Sequence, residues 1–323
     1  MATRLFAAPS PHIHGGEKTR RIMLDVILAL VPALAVSTYV MGWRVLLLTG
    51  VAVAGCVVFE YLISRFLLKR GSTIGDLSAI VTGVLLAFNL PVGIPWWIVL
   101  VGALVAIGIG KMTFGGLGCN PFNPALTGRI FLLIAYPVLM TDWTTNVPDA
   151  VSGSTLLADV KLGTMKLEDI DFLDMFSGHM NGSMGEIASL ALILGGLYLL
   201  WRKVISWHIP VAVLGTMAVF ALCVALTIGG GALCYELPLF HILAGGALLG
   251  AIFMATDYST SPMTHKGMLI YGVGIGLITM IIRLWGAYPE GMSFAIFIMN
   301  AATPLINKYC RPKRFGTGQT AKK

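Results

Sequence analysis

The chain's 323 residues are 57% hydrophobic and only 11% charged, with a mean hydropathy of +0.84. Soluble domains carry about 25% charged residues, so a water-soluble globular fold is excluded. The net charge of +7 does not point to nucleic acid, because the basic residues gather at the ends of apolar runs and in the C-terminal tail.

In chain order, apolar runs that fit transmembrane helices cover 22–41, 45–68, 76–91, 95–110, 124–141, 187–201, 208–228, 238–255, 268–285 and 291–307. A helix needs about 20 apolar residues to cross a bilayer. The first run carries Asp25 and lacks a small-residue cleavage site, so it reads as a permanent helix and not a signal peptide. The third run, ending Phe88-Asn89-Leu90-Pro91, and the fifth, holding Arg129 and Pro137, are short for full spans. The predicted fold class is an all-α polytopic membrane protein of about ten helices. Its segments are an N-terminal piece 1–21, a first membrane half 22–141, an acidic loop 142–186, a second membrane half 187–307 and a basic tail 308–323. Cys56, Cys119, Cys223, Cys234 and Cys310 show no C-x-x-C spacing, so neither a disulfide framework nor a metal site is implied.

An even number of spans puts both termini on one side, and lysine and arginine then set the orientation. Eighteen fall on the terminal side; Arg44, Lys161, Lys166 and Arg283 are the four on the other. Discarding Arg65 and Arg129 as buried leaves sixteen against four. The expectation is cytoplasmic termini and an extracytoplasmic 142–186 loop. That loop holds eight of the chain's fifteen acids: Asp142, Asp149, Asp159, Glu168, Asp169, Asp171, Asp174 and Glu186.

The third and eighth runs share a pattern. "IVTGVLLAFNLP" (80–91) and "LAGGALLGAIFMATD" (243–257) each combine small residues, leucines and a polar break. Spans five apart in a ten-span chain lie in opposite orientations, which predicts two inverted five-helix repeats with broken helices and a site at their interface. Gly246-xxx-Gly250 and Gly272-xxx-Gly276 read as close helix packing.

In the acidic loop, Asp149-Ala150-Val151-Ser152-Gly153-Ser154-Thr155 precedes Leu156-Leu157-Ala158-Asp159. A hydroxyl residue ahead of such a run reads as a helix N-cap. The same stretch resembles the flavinylation motif Asp-x-x-[Ser/Thr]-Gly-[Ala/Ser]-Thr, in which a transferase joins the phosphate of FMN to the last threonine as a phosphoester. Gly153 lacks the Cβ that would obstruct a close-approaching enzyme. Along nearly its whole length the chain resembles the D subunit of the Rnf ion-translocating electron-transport complex, and the related B subunit of the sodium-pumping NADH:quinone reductase. "FGGLGCNPFNPALTGR" (114–129), "DAVSGST" (149–155) and "FMATDYSTSPMTHKGMLIYG" (253–272) carry the resemblance. The lack of a long N-terminal extension favours the Rnf type.

The resemblance implies covalent FMN at Thr155, with Asp149, Ser152, Gly153 and Ser154 completing the motif. It also implies a bacterial cytoplasmic (inner) membrane location and a flavin transferase for maturation. The implied partners are membrane Fe–S subunits, the G subunit carrying a second FMN, peripheral ferredoxin- and NADH-reactive subunits and membrane lipid, with no nucleic acid. Two positions depart from the pattern: Ser154 stands where alanine is commoner, and Tyr258 where proline is frequent, predicting a different local turn. A tether also answers an electrostatic problem. Eight acids against two lysines give the loop a charge of about −6, which repels dianionic FMN, and no arginine clamp compensates.

Relatives bind a second flavin, usually riboflavin, without a covalent bond. Asn120-Pro121 and Asn123-Pro124 are turn signals entering the fifth span; alternatively, this segment and "TDYSTSP" after the eighth line a cavity. Asn120, Asn123, Thr256 and Ser261 are the candidate contributors. Asp25, Glu60 and Asp257 are candidates for an ion path, since a charge at the bilayer centre costs at least about 2.5 kcal/mol. Arg65 and Asp76 read as snorkelling or salt-bridged, and His241 as interfacial. Cys119 alone cannot hold an iron–sulfur cluster, which needs about four thiolates.

The function expected is that of a flavin-carrying subunit of an ion-translocating oxidoreductase, coupling electron flow between ferredoxin and NAD to Na⁺ or H⁺ transport. No residue reads as a catalytic nucleophile or base, so the chain is a component and not a complete enzyme. The rival is a urea-transporter-like solute channel, for which the Asp149–Thr155 motif has no use. A purely structural scaffold is disfavoured by the intramembrane acids.

Overall fold

The computed structural model describes residues 18–143, 155–288 and 290–311, apart from positions 70, 72, 166, 168, 169 and 179–181. Every regular element among them is helical. Among the described residues four helices are long and apolar enough to cross a membrane: α1 (Thr19–Met41), α2 (Arg44–Leu67), α10 (His208–Ile228) and α13 (His265–Trp285). A bent pair, α11 (Leu233–Leu243) and α12 (Ala247–Met254), makes a fifth if taken as one span. Shorter apolar helices are α3 (Ser78–Phe88), α4 (Trp96–Met112), α5 (Pro124–Ala135) and α9 (Ser189–Trp201). Three short helices, α6 (Pro137–Met140), α7 (Leu156–Leu162) and α8 (Phe172–Ser177), precede α9, and α14 (Met292–Tyr309) comes last. The chain is a multi-pass membrane protein.

Two of the predicted runs are shorter as helices than as apolar sequence. The third contains an 11-residue helix, which rises about 16 Å against a hydrocarbon core of about 30 Å. The fifth is interrupted at Tyr136 before Pro137, the proline lacking the N–H that would continue α5. The eighth starts earlier than its apolar pattern, at Leu233, and then breaks with a 64° bend.

Packing follows one scheme twice. Helix α2 lies on α3 and α4, as α10 lies on α11 and α13; α4 pairs with α5, as α13 pairs with α14. The contacts α1 with α9 and α5 with α14 join the two sets. Small residues permit the closest of these approaches. A Cβ on Gly272 would stand 2.6 Å from Ala212 Cβ, and one on Gly276 2.8 Å from Thr216 Cβ, so this pair packs α13 on α10 as predicted. Gly246 does not pack in this way: open space surrounds its missing Cβ, and its φ of +64° serves the break in the eighth span.

Breaking a helix inside an apolar protein frees backbone groups that water does not reach, each costing several kcal/mol if left unpaired. At the α11–α12 break, Gly245 (φ +70°) and Gly246 turn the chain through the left-handed region. Arg283 of α13 takes up the freed carbonyls, donating to His241 O at 2.6 Å, Ala244 O at 2.8 Å and Gly245 O at 3.1 Å. Glu186 accepts from the Gly245 N–H. At the end of α3, Phe88 O accepts from Gly185 N (2.8 Å) and Leu90 O from Met184 N (3.2 Å). Asn89 donates to Leu85 O at 2.6 Å and accepts from Arg129 Nη1 at 2.6 Å. Arg129 also donates to Ser293 Oγ (2.7 Å) and pairs with Glu290. The irregular segment 183–188 thus runs between the two breaks and serves both.

Replacing Arg283 by leucine leaves the break's carbonyls and Glu186 without their cation. The expected loss is about 3–5 kcal/mol, the usual cost of removing one partner from a buried charged set, read as a large fall in melting temperature of the purified protein. Gly272→Leu is expected to cost about 1–3 kcal/mol by overpacking, while Gly215→Leu, where nothing lies within 4 Å, leaves the melting temperature unchanged.

Candidate functional site

Thr155 is the first described residue after 143, and it caps α7. Its Oγ1 accepts from Ala158 N at 3.2 Å, and the residue is buried at 2% exposure. The N-cap expectation is therefore met. Asp149, Ser152, Gly153 and Ser154 lie outside the described residues. Helix α7 is docked at two points. Leu157 packs at the α11–α12 break, its Cδ2 2.9 Å from where a Gly245 Cβ would sit. Lys161 Nζ donates to Gly286 O (2.5 Å), Ile282 O and Tyr288 O (both 3.3 Å). An ammonium placed on the last carbonyls of α13 meets the negative end of that helix.

Beyond the opposite end of α13 lies a cleft of about 90 Å³. Asn120, Asn123, Thr256 and Asp257 line it together, as the sequence suggested, along with Lys111 and Ser78. Ser261 is not part of the lining; its backbone N–H donates to Asp257 O at 3.1 Å, which shapes the turn. The 21 residues of α13 rise about 32 Å, so the cleft and Thr155 lie toward opposite ends of the molecule.

Asn123 shows why an Asn-Pro pair stands at this wall. Its Oδ1 caps α5, accepting from Ala125 N (3.0 Å) and Leu126 N (3.4 Å), and Pro124 occupies the first helical position, where no N–H is needed. Its Nδ2 donates to Met254 O at 3.2 Å, tying α5 to the end of α12. The turn and the cavity wall are one structure. Asn120 donates to Phe122 O (3.0 Å) and hydrogen-bonds the Asp257 carboxylate. Asp257 also accepts from Ser259 Oγ (2.9 Å) and Thr260 Oγ1 (3.3 Å). Burial raises the Asp257 carboxyl above its ordinary range, and these hydrogen bonds oppose the shift. Tyr258, at the departure from the family pattern, anchors the turn through its hydroxyl to Val204 O.

Two wider π-type turns flank the cleft, 105–112 at the end of α4 and 250–254 at the end of α12; such turns concentrate at functional positions. The first carries Lys111, buried at 2% exposure, whose Nζ donates to Glu60 Oε2 and Ser78 Oγ, each at 2.6 Å. Glu60 also accepts from Thr73 Oγ1 at 2.6 Å, and Asp76 accepts from Ser78 N at 2.9 Å. Leu77 between them is held at φ +66°, a left-handed conformation costing a non-glycine residue about 1–2 kcal/mol. Asp25 is paired with Arg202 (3.0 Å) and accepts from Tyr198 Oη (3.0 Å). Of the three ion-path candidates, Asp25 and Glu60 are thus held in ion pairs, and Asp257 by hydroxyls and an amide.

Four charged residues have a larger place than their sequence positions suggested. Lys111 and Arg283 counted as helix-end charges, yet both are buried; with Arg129 this takes two from one side of the charge tally and one from the other, leaving its direction unchanged. Glu186 counted as a loop acid, yet burial pushes its carboxyl up to about 7, with Glu290 adding to the shift. Glu290 had no assigned role. His241, read as interfacial, is buried against Arg283. The available signal was a charge inside or beside an apolar run.

Residues 6–316 match the model of the NQR2, RnfD, RnfE family. The chain is 48% identical to the D subunit of the Na⁺-translocating ferredoxin:NAD⁺ oxidoreductase complex of Acetobacterium woodii, over 98% of this chain and 97% of that one. It is 42% identical to the D subunit of the proton-translocating ferredoxin:NAD⁺ oxidoreductase complex of Clostridium ljungdahlii, over 95% of each. It is 36% identical to the D subunit of the ion-translocating oxidoreductase complex of Escherichia coli, over 96% and 97%. Two charged clamps on broken helices, an amide-lined cleft and a docked threonine are thus features of a chain that belongs to the NQR2, RnfD, RnfE family.

Proposed function

We propose that the chain is the flavin-carrying membrane subunit of an ion-translocating ferredoxin:NAD⁺ oxidoreductase complex, a component of an enzyme that couples electron transfer to Na⁺ or H⁺ movement. The observation that carries this is full-length identity to the D subunits of such complexes. FMN is held as a phosphoester on Thr155. Because Thr155 is buried, the transferase acts before α7 closes on α13. The cleft beside Asn120 and Asn123 takes a second, non-covalent flavin. Among the described residues Lys111 is the one cation in the wall, and it is already paired with Glu60, so the cleft suits a phosphate-free flavin such as riboflavin better than FMN. The flavins supply the electron chemistry; the chain places them and sets their surroundings.

The protein crosses the bacterial inner membrane ten times as two inverted repeats. Supporting this are the doubled packing scheme and the paired breaks in α3 and α11–α12. The lysine and arginine tally supports cytoplasmic termini and an extracytoplasmic 142–186 loop that carries the FMN. The distance along α13 between the two flavin sites is a gap that partner-bound centres fill, which accords with the membrane Fe–S subunits, the FMN-carrying G subunit and the peripheral partners of the complex. The solute-channel alternative loses ground, because the chain is similar over its full length to subunits of ion-translocating oxidoreductase complexes.

Co-expressed with a flavin transferase, the denatured wild-type chain is expected to fluoresce in a gel and Thr155→Val to be dark. A dark wild-type band beside a bright flavinylated control returns Thr155 to a helix cap alone. Acid denaturation of the purified complex is expected to release a phosphate-free flavin, and Asn120→Leu to reduce its yield while the covalent band persists.

A further inference from the structure

Glu186 is the enclosed acid at which three parts of the fold meet. Its carboxylate accepts from Gly245 N at the eighth-span break and from Ser183 N (3.2 Å) and Oγ (3.4 Å) in its own segment. Leu157, two residues beyond Thr155, packs against Gly245. The charges facing Glu186 are Glu290 ahead of α14, Arg129 of α5 and Arg283 of α13. His241 of α11 touches the Arg283 guanidinium at 3.5 Å, which repels a second positive charge. Helices α3, α9 and α12 bring no charged side chain. Helix α7 brings Lys161, spent on the α13 carbonyls, and the half-buried Asp159; α8 brings the exposed Asp171 and Asp174.

The set is balanced, two guanidiniums against two carboxylates, when Glu186 is ionised. It is also incompletely paired: Arg283 Nε and Glu290 Oε1 are buried without partners. An added electron nearby makes this poorly solvated group net negative, and a proton restores neutrality at the least cost. The arginines cannot gain one, and Glu290 is tied to Arg129. Glu186 has no such ion pair.

Building on the assignment of FMN to Thr155, we propose that Glu186 is a redox-linked proton-binding group: it takes one proton from water when the flavin accepts one electron, and returns it when the electron leaves. The donor, a one-electron iron–sulfur or flavin centre of a neighbouring protein in the complex, is oxidised as the FMN is reduced; an O–H bond forms on Glu186 and is broken on release. Protonation also turns the charge-assisted hydrogen bond to Gly245 N into a neutral one, roughly half as strong. Each electron therefore loosens the hold on the broken span.

The test uses the purified complex, with covalent flavin confirmed by gel fluorescence in every variant. Redox-induced infrared difference spectra and proton uptake are followed between about pH 6 and pH 8, across the range where a buried carboxyl of raised pKa titrates. One-electron reduction of wild type is expected to produce a carboxylic-acid C=O band with proton uptake; Glu186→Gln retains its flavin fluorescence and loses both. Glu290→Gln removes a negative neighbour, lowers the proton affinity of Glu186 and moves the uptake curve down by about one pH unit, which decides the matter should Glu186→Gln fail to assemble. A fluorescent wild type without the carboxyl band, a Glu186→Gln complex that keeps it, or an unmoved Glu290→Gln curve overturns the proposal. A dark wild-type band overturns the FMN assignment itself, a separate result.

Discussion

Backbone polarity in an apolar surrounding is the constraint on which this structure depends. Two helices stop short, and each leaves peptide groups that neither lipid nor the protein core can solvate. A single irregular stretch, 183–188, serves both: Met184 and Gly185 pair with the end of α3, and Glu186 takes the N–H at the α11–α12 break. Arg129 and Arg283 complete the arrangement from α5 and α13. Close approach is part of it, since a Cβ on Gly185 would lie 2.6 Å from Phe88 Cβ. The buried charges are therefore part of how the fold is closed.

The same economy governs the cleft. Asn123 uses its carbonyl oxygen for the α5 cap and its NH₂ for Met254 O, so the wall cannot be altered without loosening the helix. Lys111 reaches the wall from a π-type turn and is neutralised by Glu60. A buried ion pair adds little net stability; its worth here is to set a fixed, nearly neutral polar wall in an otherwise apolar recess.

Much of this was legible in the sequence, and what was not has physical causes. Helix class followed from hydropathy, and Asn120, Asn123, Thr256 and Asp257 do share one cleft, because turn residues at adjoining helix ends converge. Ser261 failed to join them because the turn directs its backbone, and not its side chain, at Asp257. Gly246 and Gly250 have the spacing of a packing pair, yet Gly246 serves a bend: spacing does not distinguish a glycine needed for close approach from one needed for its φ. Lys111, Glu186 and Arg283 were hidden by their positions at the ends of apolar runs, where charge ordinarily reports topology. Only the folded chain shows that these ends turn inward.

The reach of Glu186 also imposes an order on biogenesis. The chain emerges N-terminus first, so Met184 and Gly185 can close the end of α3 as soon as they are made. Glu186, in the same segment, must wait 59 residues for Gly245, and longer for Arg283. During that interval the acid has Ser183 and Arg129 beside it but lacks the Gly245 N–H and the Arg283 cation. The first half is thus made with a polar seam that only Gly245 and Arg283 of the second half complete.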